Sequence, residues 1–208
     1  MNGRLDEIKK QILPAAVIAD VGCDHALIAK YCADNGLAQT VIASDISDAC
    51  LNKARALLAD TENVRFVCCD GIKYDCDEAV IAGMGGLLIS KILTAASALP
   101  STVVTCPHRD ADCVRKTLTS LGYGIDCDED VEDNGKFYSV IRGRLDKTLG
   151  VRELDELQTL FGVNVSRRNE ITVKRLKKLY KTYAVAPDRN AERLSKIVAA
   201  LSLQGEQI

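Results

Sequence analysis

The sequence lacks an apolar run of membrane-spanning length, because Asp, Lys or Gly interrupts every apolar stretch well short of about 18 residues. The first seven residues contain no apolar region either, so we expect no signal peptide. Together these two absences lead us to expect a cytoplasmic protein with no membrane segment.

Cysteine spacing typical of zinc sites is also missing. None of the 9 cysteines forms a C-x-x-C pair, and Cys68 and Cys69 are adjacent in the sequence. We therefore expect reduced packing residues and no metal site.

The composition is that of a globular protein. With 208 residues, of which 47% are hydrophobic and 27% charged, the chain is neither disordered nor fibrous. Its length suits one domain, or one domain with an appended module. Since the strand signals disappear near residue 150, we expect a sheet domain over residues 1–150 and a helical module over residues 151–208.

Charge is distributed unequally between these two parts. Residues 1–150 contain 16 Lys and Arg against 22 Asp and Glu, a net charge of −6, whereas residues 151–208 contain 11 against 7, a net charge of +4. A basic module on an acidic body predicts a polyanionic partner, and a solvated helix face is the alternative. The candidate nucleic-acid contacts are Arg167, Arg168, Lys174, Arg175, Lys177 and Lys178.

Short β-rich runs alternate with helical stretches through the first 121 residues. Strands are predicted at 17–21, 40–44, 64–67, 79–82 and 102–105, with helices between them. Strands joined by helical crossovers pair in parallel, with right-handed connections. Runs at 125–131 and 137–142 flank Asn134-Gly135, which predicts a final antiparallel hairpin.

The last part of the chain has helical periodicity only. Apolar residues recur at helical spacing from Leu176 to Tyr183 and again from Leu194 to Leu201, on either side of a break at Pro187-Asp188. This pattern predicts a C-terminal α-helical hairpin, which is coiled-coil-like and amphipathic. Two such helices cannot bury both apolar stripes alone, so monomer and homodimer through this module both remain open.

The loop after the first strand predicts a ligand with positive charge. Gly22 allows a tight turn between strand and helix, but the loop is not G-x-G-x-x-G, and Asp20 and Asp24 flank it. Two negative charges disfavour a pyrophosphate and favour a cation; an ordinary turn with a capping Asp is the alternative. At the ends of the next two strands, Asp45 can bind ribose hydroxyls and Asp70 can bind the amino edge of adenine. Asp45 could instead only cap the helix that follows it.

The order of elements and two sequence blocks carry a family resemblance. The blocks are Ala19-Asp20-Val21-Gly22-Cys23-Asp24-His25-Ala26 and Ile81-Ala82-Gly83-Met84-Gly85-Gly86. They resemble the bacterial tRNA (adenine-22-N1)-methyltransferases, and the hairpin at 132–138 is similar to that family as well. The resemblance implies an α/β class I methyltransferase fold, Rossmann-like and mostly parallel, and S-adenosylmethionine as cofactor. After the fifth strand the family more often has Gln-Pro, whereas this chain has Cys106-Pro107.

The resemblance also implies a site. It implies direct attack of the adenine N1 lone pair on the sulfonium methyl group of the cofactor. The catalytic candidates are Asp24, His25, Met84 and His108. The cofactor-binding candidates are Asp20, Gly22, Cys23, Asp45, Ile46, Asp70, Gly71, Gly83, Met84 and Gly85. His25 could instead only cap its helix, and His108 could be surface or a phosphate contact.

Other functions remain open at this point. The same residues would serve a methyltransferase that acts on another RNA or on a small molecule. They would also serve a non-catalytic protein that binds S-adenosylmethionine and RNA.

Overall fold

The computed structural model describes residues 3–146 and 151–207, which form a seven-stranded mixed sheet with helices around it. The strands are β1 (Ala15–Val21), β2 (Ala38–Asp45), β3 (Val64–Cys68), β4 (Glu78–Ala82), β5 (Thr102–Cys106), β6 (Gly124–Asp133) and β7 (Lys136–Arg144). The helices are α1 (Arg4–Gln11), α2 (Leu27–Asp34), α3 (Asp48–Leu57), α4 (Gly86–Thr94), α5 (Ala111–Ser120), α6 (Glu156–Phe161), α7 (Glu170–Tyr183) and α8 (Pro187–Leu203).

The sheet order is β3-β2-β1-β4-β5-β7-β6. The first five strands are parallel, and β7 is antiparallel to both of its neighbours. This confirms the predicted fold, including the final hairpin. Strand order reverses between β1 and β4, the position at which open α/β sheets bind ligands.

Two apolar layers cover the faces of the sheet. One layer contains residues of α1, α2 and α3, and the other contains residues of α4 and α5. Strand β4 is buried throughout, except for Ala82 at its end. Such continuous apolar runs are typical of strands with both faces covered.

The C-terminal part contains three helices in the described residues, so the predicted hairpin of two was incomplete. Helix α6 precedes the pair α7 and α8, and Asp155 forms a capping box at its start. Phe161, Leu176, Ile197 and Leu201 belong to a separate apolar core of this part. Each of the three helices therefore contributes to burying the apolar side of the other two.

No helix within residues 3–146 and 151–207 has both the length and the apolar character that crossing a bilayer requires. In the same residues, no group of three or more His, Cys, Asp or Glu is placed to hold a metal ion. All 9 cysteines are free.

Candidate active site

A cavity of about 270 Å³ lies at the carboxyl ends of β1, β2 and β4. Six of the predicted cofactor-binding residues line it: Gly22, Asp45, Ile46, Asp70, Gly71 and Met84. Apolar side chains of α4, Leu88 and Ile92, complete its wall. Two carboxylates line this cavity, and none of its described lining residues is Lys, Arg or His. The lining therefore suits a neutral or cationic ligand and provides nothing to neutralise a phosphate.

The loop between β1 and α2 has an unusual backbone. Gly22, Asp24 and Ala26 have φ angles of 72°, 36° and 49°, in the left-handed region that disfavours residues with a side chain. The N–H groups of Gly22 and Cys23 donate to the carbonyl of Ser44 at 2.8 and 3.0 Å. Strained backbone of this kind clusters at ligand sites, where the surroundings hold it in place.

Gly22 also faces the side chain of Met84. A Cβ atom on Gly22 would lie 2.1 Å from Met84 Cε. Met84 therefore reaches across the loop and forms a wall of the cavity. Met84 lies between the loop and the cavity, and its catalytic role stays a prediction.

Asp45 holds the loop and the next helix together. Its Oδ1 accepts from the N–H of Ser47 at 2.9 Å, and its Oδ2 accepts from the N–H of Asp24 at 3.3 Å. The N-cap of α3 is Ser47, whose Oγ accepts from the N–H of Cys50. Asp45 thus supports the start of α3, as the alternative suggested, while it also lines the cavity.

Asp20 in β1 and Cys23 in the loop are both buried, and neither lines the cavity. The Asp20 carboxylate is buried and accepts from the N–H of Ala29 in α2 at 3.0 Å. Burial raises its pKa from the ordinary value of 3.8 to about 7. Burial likewise raises the pKa of the Cys23 thiol to about 12, so this thiol stays protonated. That both residues bind the cofactor stays a prediction.

Asp24 and His25 are exposed at the outer side of the loop. Asp24 Oδ1 lies 3.0 Å from Lys53 Nζ, and its Oδ2 lies 3.2 Å from His25 Nε2. The hydrogen bond from Lys53 lowers the pKa of Asp24, so this carboxylate is ionised at neutral pH. His25 does not cap α2, because Ala26 occupies the N-cap position without a side-chain hydrogen bond.

The loops after β4 and β5 run against each other. The N–H of Gly86 donates to the carbonyl of Arg109 at 2.9 Å, and the N–H of His108 donates to the carbonyl of Met84 at 2.8 Å. A Cβ atom on Gly86 would lie 2.0 Å from the backbone oxygen of Asp110. The block at 83–86 therefore needs Gly86 for backbone packing. Gly83 and Gly85 are adjacent to the cavity wall at Met84 but do not line it.

His108 is held by residues that the sequence did not single out together. Nη1 of Arg4 in α1 lies 2.8 Å from His108 Nε2, and the ring of Tyr138 lies 6.0 Å away, edge to face. Since a guanidinium only donates, Nε2 accepts and the proton of the ring is on Nδ1. Burial and the charge of Arg4 both lower the pKa of His108, so the ring is neutral. Cys106, two residues earlier, is fully buried in the core.

A second and larger cavity adjoins the first. This cavity, which we call the module groove, has a volume of about 660 Å³. It is lined by residues 107–112, 136–139 and 160, and by Arg175, Lys178, Leu179, Thr182 and Tyr183 of α7. His108 lines this groove and is hydrogen-bonded to the backbone of Met84, which lines the first cavity. The linings of the two cavities are thus in contact at these two residues, although no residue lines both.

The six basic residues predicted to contact RNA do not form one surface. Arg175 differs from the prediction, because its guanidinium lies inside the protein and not on a surface that RNA could contact. Its Nε is 2.9 Å from Asp130 Oδ2, and Nη2 donates to the carbonyl of Phe161. A cation that is paired within the protein in this way cannot neutralise an RNA phosphate. The other five are exposed: Arg167, Arg168, Lys174, Lys177 and Lys178.

Comparison with known proteins assigns the family. A family model described as a methyltransferase domain matches residues 1–141. The chain belongs to the methyltransferase-domain family. A Mycoplasma pneumoniae protein, provisionally named a tRNA methyltransferase, is 31% identical over 150 residues, which cover 69% of this chain and 70% of that protein. The family predicted from the sequence is thereby confirmed.

Other relatives extend the similarity to the whole chain. The tRNA (adenine(22)-N(1))-methyltransferase of Bacillus subtilis (strain 168) is 29% identical over 151 residues, which cover 68% of this chain and 63% of that protein. A crystal structure of the B. subtilis M1A22 tRNA methyltransferase TrmK has 25% identity and a TM-score of 0.72, with 99% of this chain and 97% of that chain covered. The structure of M. capricolum TrmK with S-adenosyl-homocysteine has a TM-score of 0.88 at 21% identity and covers 98% of both chains, which shows the shared fold.

Proposed function

We propose that this protein transfers the methyl group of S-adenosylmethionine to N1 of adenine 22 in tRNA. The proposal rests on the small cavity with two carboxylates and no lining cation, whose Met84 is hydrogen-bonded to His108 of a groove with basic and aromatic residues. The relatives named as tRNA methyltransferases, one of them specific for adenine 22, support the substrate and the position of the nucleotide.

The chemistry of the cavity fits S-adenosylmethionine. Asp45 would accept from the ribose hydroxyls and Asp70 from the adenine amino group, while Ile46, whose surface is 70% exposed, would cover one face of the base. When bound, the cofactor supplies a methyl group on a cationic sulfur, which the lone pair of adenine N1 can take without a general base. Asp20, buried in β1, would add negative charge near that cation in its ionised form.

The residues of the protein would act on position and charge. They must hold N1 in line with the methyl group, exclude water and accommodate the positive charge that the methylated base acquires. Asp24 is ionised and His108 is neutral, so neither adds a repulsive positive charge. The catalytic assignments of Asp24, His25, Met84 and His108 stay predictions.

The helical part and the tRNA partner belong to the same proposal. We propose that residues 151–208 help to hold the tRNA, with Arg167, Arg168, Lys174, Lys177 and Lys178 as candidate contacts. A cytoplasmic location follows from a tRNA substrate. The choice between monomer and homodimer, and the division at residue 150, stay predictions.

The test is methyl transfer from labelled S-adenosylmethionine to an unmodified tRNA transcript with adenine at position 22. A matched transcript carries guanine there. We expect label in the adenine transcript only, recovered as 1-methyladenosine. Transfer to both transcripts would support a tRNA methyltransferase but exclude adenine 22 as its target. Cofactor binding without transfer to either would favour another substrate, or a protein that binds RNA and cofactor without turnover.

A further inference from the structure

We infer that the module groove holds the stretch of tRNA next to the target adenine. We further infer that Lys136 and Lys178 contact its phosphates. This inference rests on the proposed function and goes beyond it, because it assigns one side of α7 and the tip of the β6–β7 hairpin to the RNA. It assigns RNA binding to the residues of α7 that line the groove rather than to all of its basic residues.

The position of the groove is the first argument. His108 lines the groove, and its N–H donates to the carbonyl of Met84, which lines the cofactor cavity. A Cβ atom on Gly85 would lie 3.5 Å from Nε of Arg109, another groove residue. A nucleotide bound in the groove is therefore next to the place where the methyl group would be presented.

The charges of the groove are the second argument. Lys136 is exposed and makes no ion pair or hydrogen bond with the described residues, and Lys178 donates only to the carbonyl of Gly135. Two acids also line the groove, but Asp110 lies 3.6 Å from Arg109 and Asp112 lies 3.8 Å from Lys116. The two lysines are therefore cations without an acidic partner.

Three other cations of the helical part have acidic partners. Lys174 lies 3.7 Å from Glu132, and Lys177 lies 2.6 Å from Glu206. Arg168 also reaches Glu206, at 3.5 Å. Charges that are already paired gain less from an RNA phosphate, since the acid remains nearby. Within the described residues, Lys178 and Lys181 are the lysines of α7 without an acidic partner, and of these two Lys178 lines the groove.

Aromatic residues are the third argument. The chain has 3 phenylalanines, 6 tyrosines and no tryptophan, yet Phe137, Tyr138 and Tyr183 all line this groove. Unpaired bases stack on aromatic side chains, and basic residues beside them bind the backbone. This combination is typical of sites for single-stranded nucleic acid. A base pair would hide N1 of adenine, so the target must be unpaired in any case.

The test compares two double variants of equal charge. Lys136→Ala/Lys178→Ala removes the two lysines of the groove, and Lys10→Ala/Lys30→Ala removes two lysines of α1 and α2 that are paired with Glu7 and Asp34. We expect the groove variant to weaken tRNA binding about tenfold at physiological salt and to lower the salt dependence of log K by about 1.4. The α1/α2 variant should weaken binding less than about threefold. Calorimetric affinity for S-adenosylmethionine, measured on each variant, should equal that of the wild type.

The outcomes separate the inference from the proposed function. If the α1/α2 variant loses as much tRNA affinity as the groove variant, or more, the groove assignment is wrong. If the wild type methylates adenine 22 and the groove variant binds tRNA normally, the inference fails while the function stands. A wild type that neither binds nor methylates tRNA overturns both.

Discussion

Arg115 of α5 and Asp128 of β6 form a buried bidentate ion pair, with 0% and 1% of their side chains exposed. Nε and Nη2 of Arg115 donate to the two carboxylate oxygens at 2.7 and 2.9 Å. Nη1 donates to the carbonyls of Thr159 and Leu160 in α6, and Asp128 also accepts from the N–H of Val163. One guanidinium thus joins the sheet domain to the helical part.

Removing Arg115 should therefore be costly. We expect Arg115→Ala to lower the free energy of unfolding by about 3–5 kcal/mol, because it leaves a buried carboxylate without its counter-charge. Lys30→Ala, which removes an exposed pair with Asp34 on α2, should cost less than about 0.5 kcal/mol. Urea unfolding at pH 7 measures both. A loss below 1 kcal/mol for Arg115→Ala would contradict the bridging role.

Gly22→Ala should impair the cofactor cavity through Met84. The new methyl group would overlap Met84 Cε and push the side chain toward the cavity, while the φ of 72° adds about 1–2 kcal/mol of backbone strain. We expect affinity for S-adenosylmethionine to fall at least about tenfold, a loss of about 1.4 kcal/mol.

Adding Met84→Ala to Gly22→Ala should restore part of that affinity. The double variant removes the overlap but keeps the strain, so titration calorimetry on all four proteins gives the coupling between the two sites. Strictly additive losses would show that the steric conflict does not matter.

Asp24→Asn should lower methyl transfer without affecting folding. Asn keeps the shape of the side chain and tolerates the φ of 36°, so the variant isolates the loss of negative charge. If Asp24 acts in catalysis as proposed, kcat/KM should fall by about 10²-fold with an unchanged melting temperature, because the variant loses one preorganised charge. Asp34→Asn on α2 is the control of equal charge. Activity within about threefold of the wild type would remove Asp24 from the mechanism.

Asp20 should make cofactor affinity depend on pH. Its folded pKa of about 7 lies above its ordinary value of 3.8, so folding favours the protonated form. The stability that Asp20 contributes in this way is complete below pH 3.8 and is lost as pH rises to about 7. The loss amounts to about 1.4 kcal/mol for each unit by which the folded pKa exceeds the ordinary one. The ionised form, present above pH 7, should bind the cationic cofactor more tightly. Asp20→Asn should flatten both pH profiles.

Glu78 provides the matched control for this prediction. Burial raises its pKa to about 7 as well, but it lies at the amino end of β4 and accepts from the N–H of Leu13. Glu78→Gln should therefore flatten the pH profile of stability and leave that of cofactor affinity unchanged. If both variants change cofactor affinity equally, the effect comes from stability and not from the charge of Asp20.

The strands could be predicted from the sequence because each is a short apolar run between helical stretches. The N-cap at Ser47 was also predictable from its residue type. Helices α1 and α6, which are 8 and 6 residues long, were missed. Ile8 is the one buried residue of α1, which is too weak a signal to predict a helix.

The cofactor cavity was more predictable than the groove. Residues such as Gly22, Asp45 and Asp70 end successive parallel strands, and the carboxyl ends of such strands meet at one edge of the sheet. The groove combines residues of α5, β7 and α7, and its His108 is contacted by Arg4 of α1 from 104 residues away. No local pattern indicates that contact.

Arg175 shows the limit of counting charges. In the sequence it belongs to a basic run, and nothing in that run distinguishes it from Lys174. The signal that could have found it lies elsewhere, in Asp128 and Asp130 on alternate positions of β6. Two acids on one face of a covered strand require two buried cations, and Arg115 and Arg175 are those cations.

The sheet order has a consequence for folding during synthesis. Strand β7 lies between β5 and β6, although it is the last strand of the chain. Strand β6 therefore leaves the ribosome before the strand that joins it to the sheet. The hydrogen bonds of Arg115 to α6 can form only later still, because Thr159 follows Arg115 by 44 residues. The cofactor cavity, built from residues 21–92, can form first, and the groove can form only when α7 has emerged.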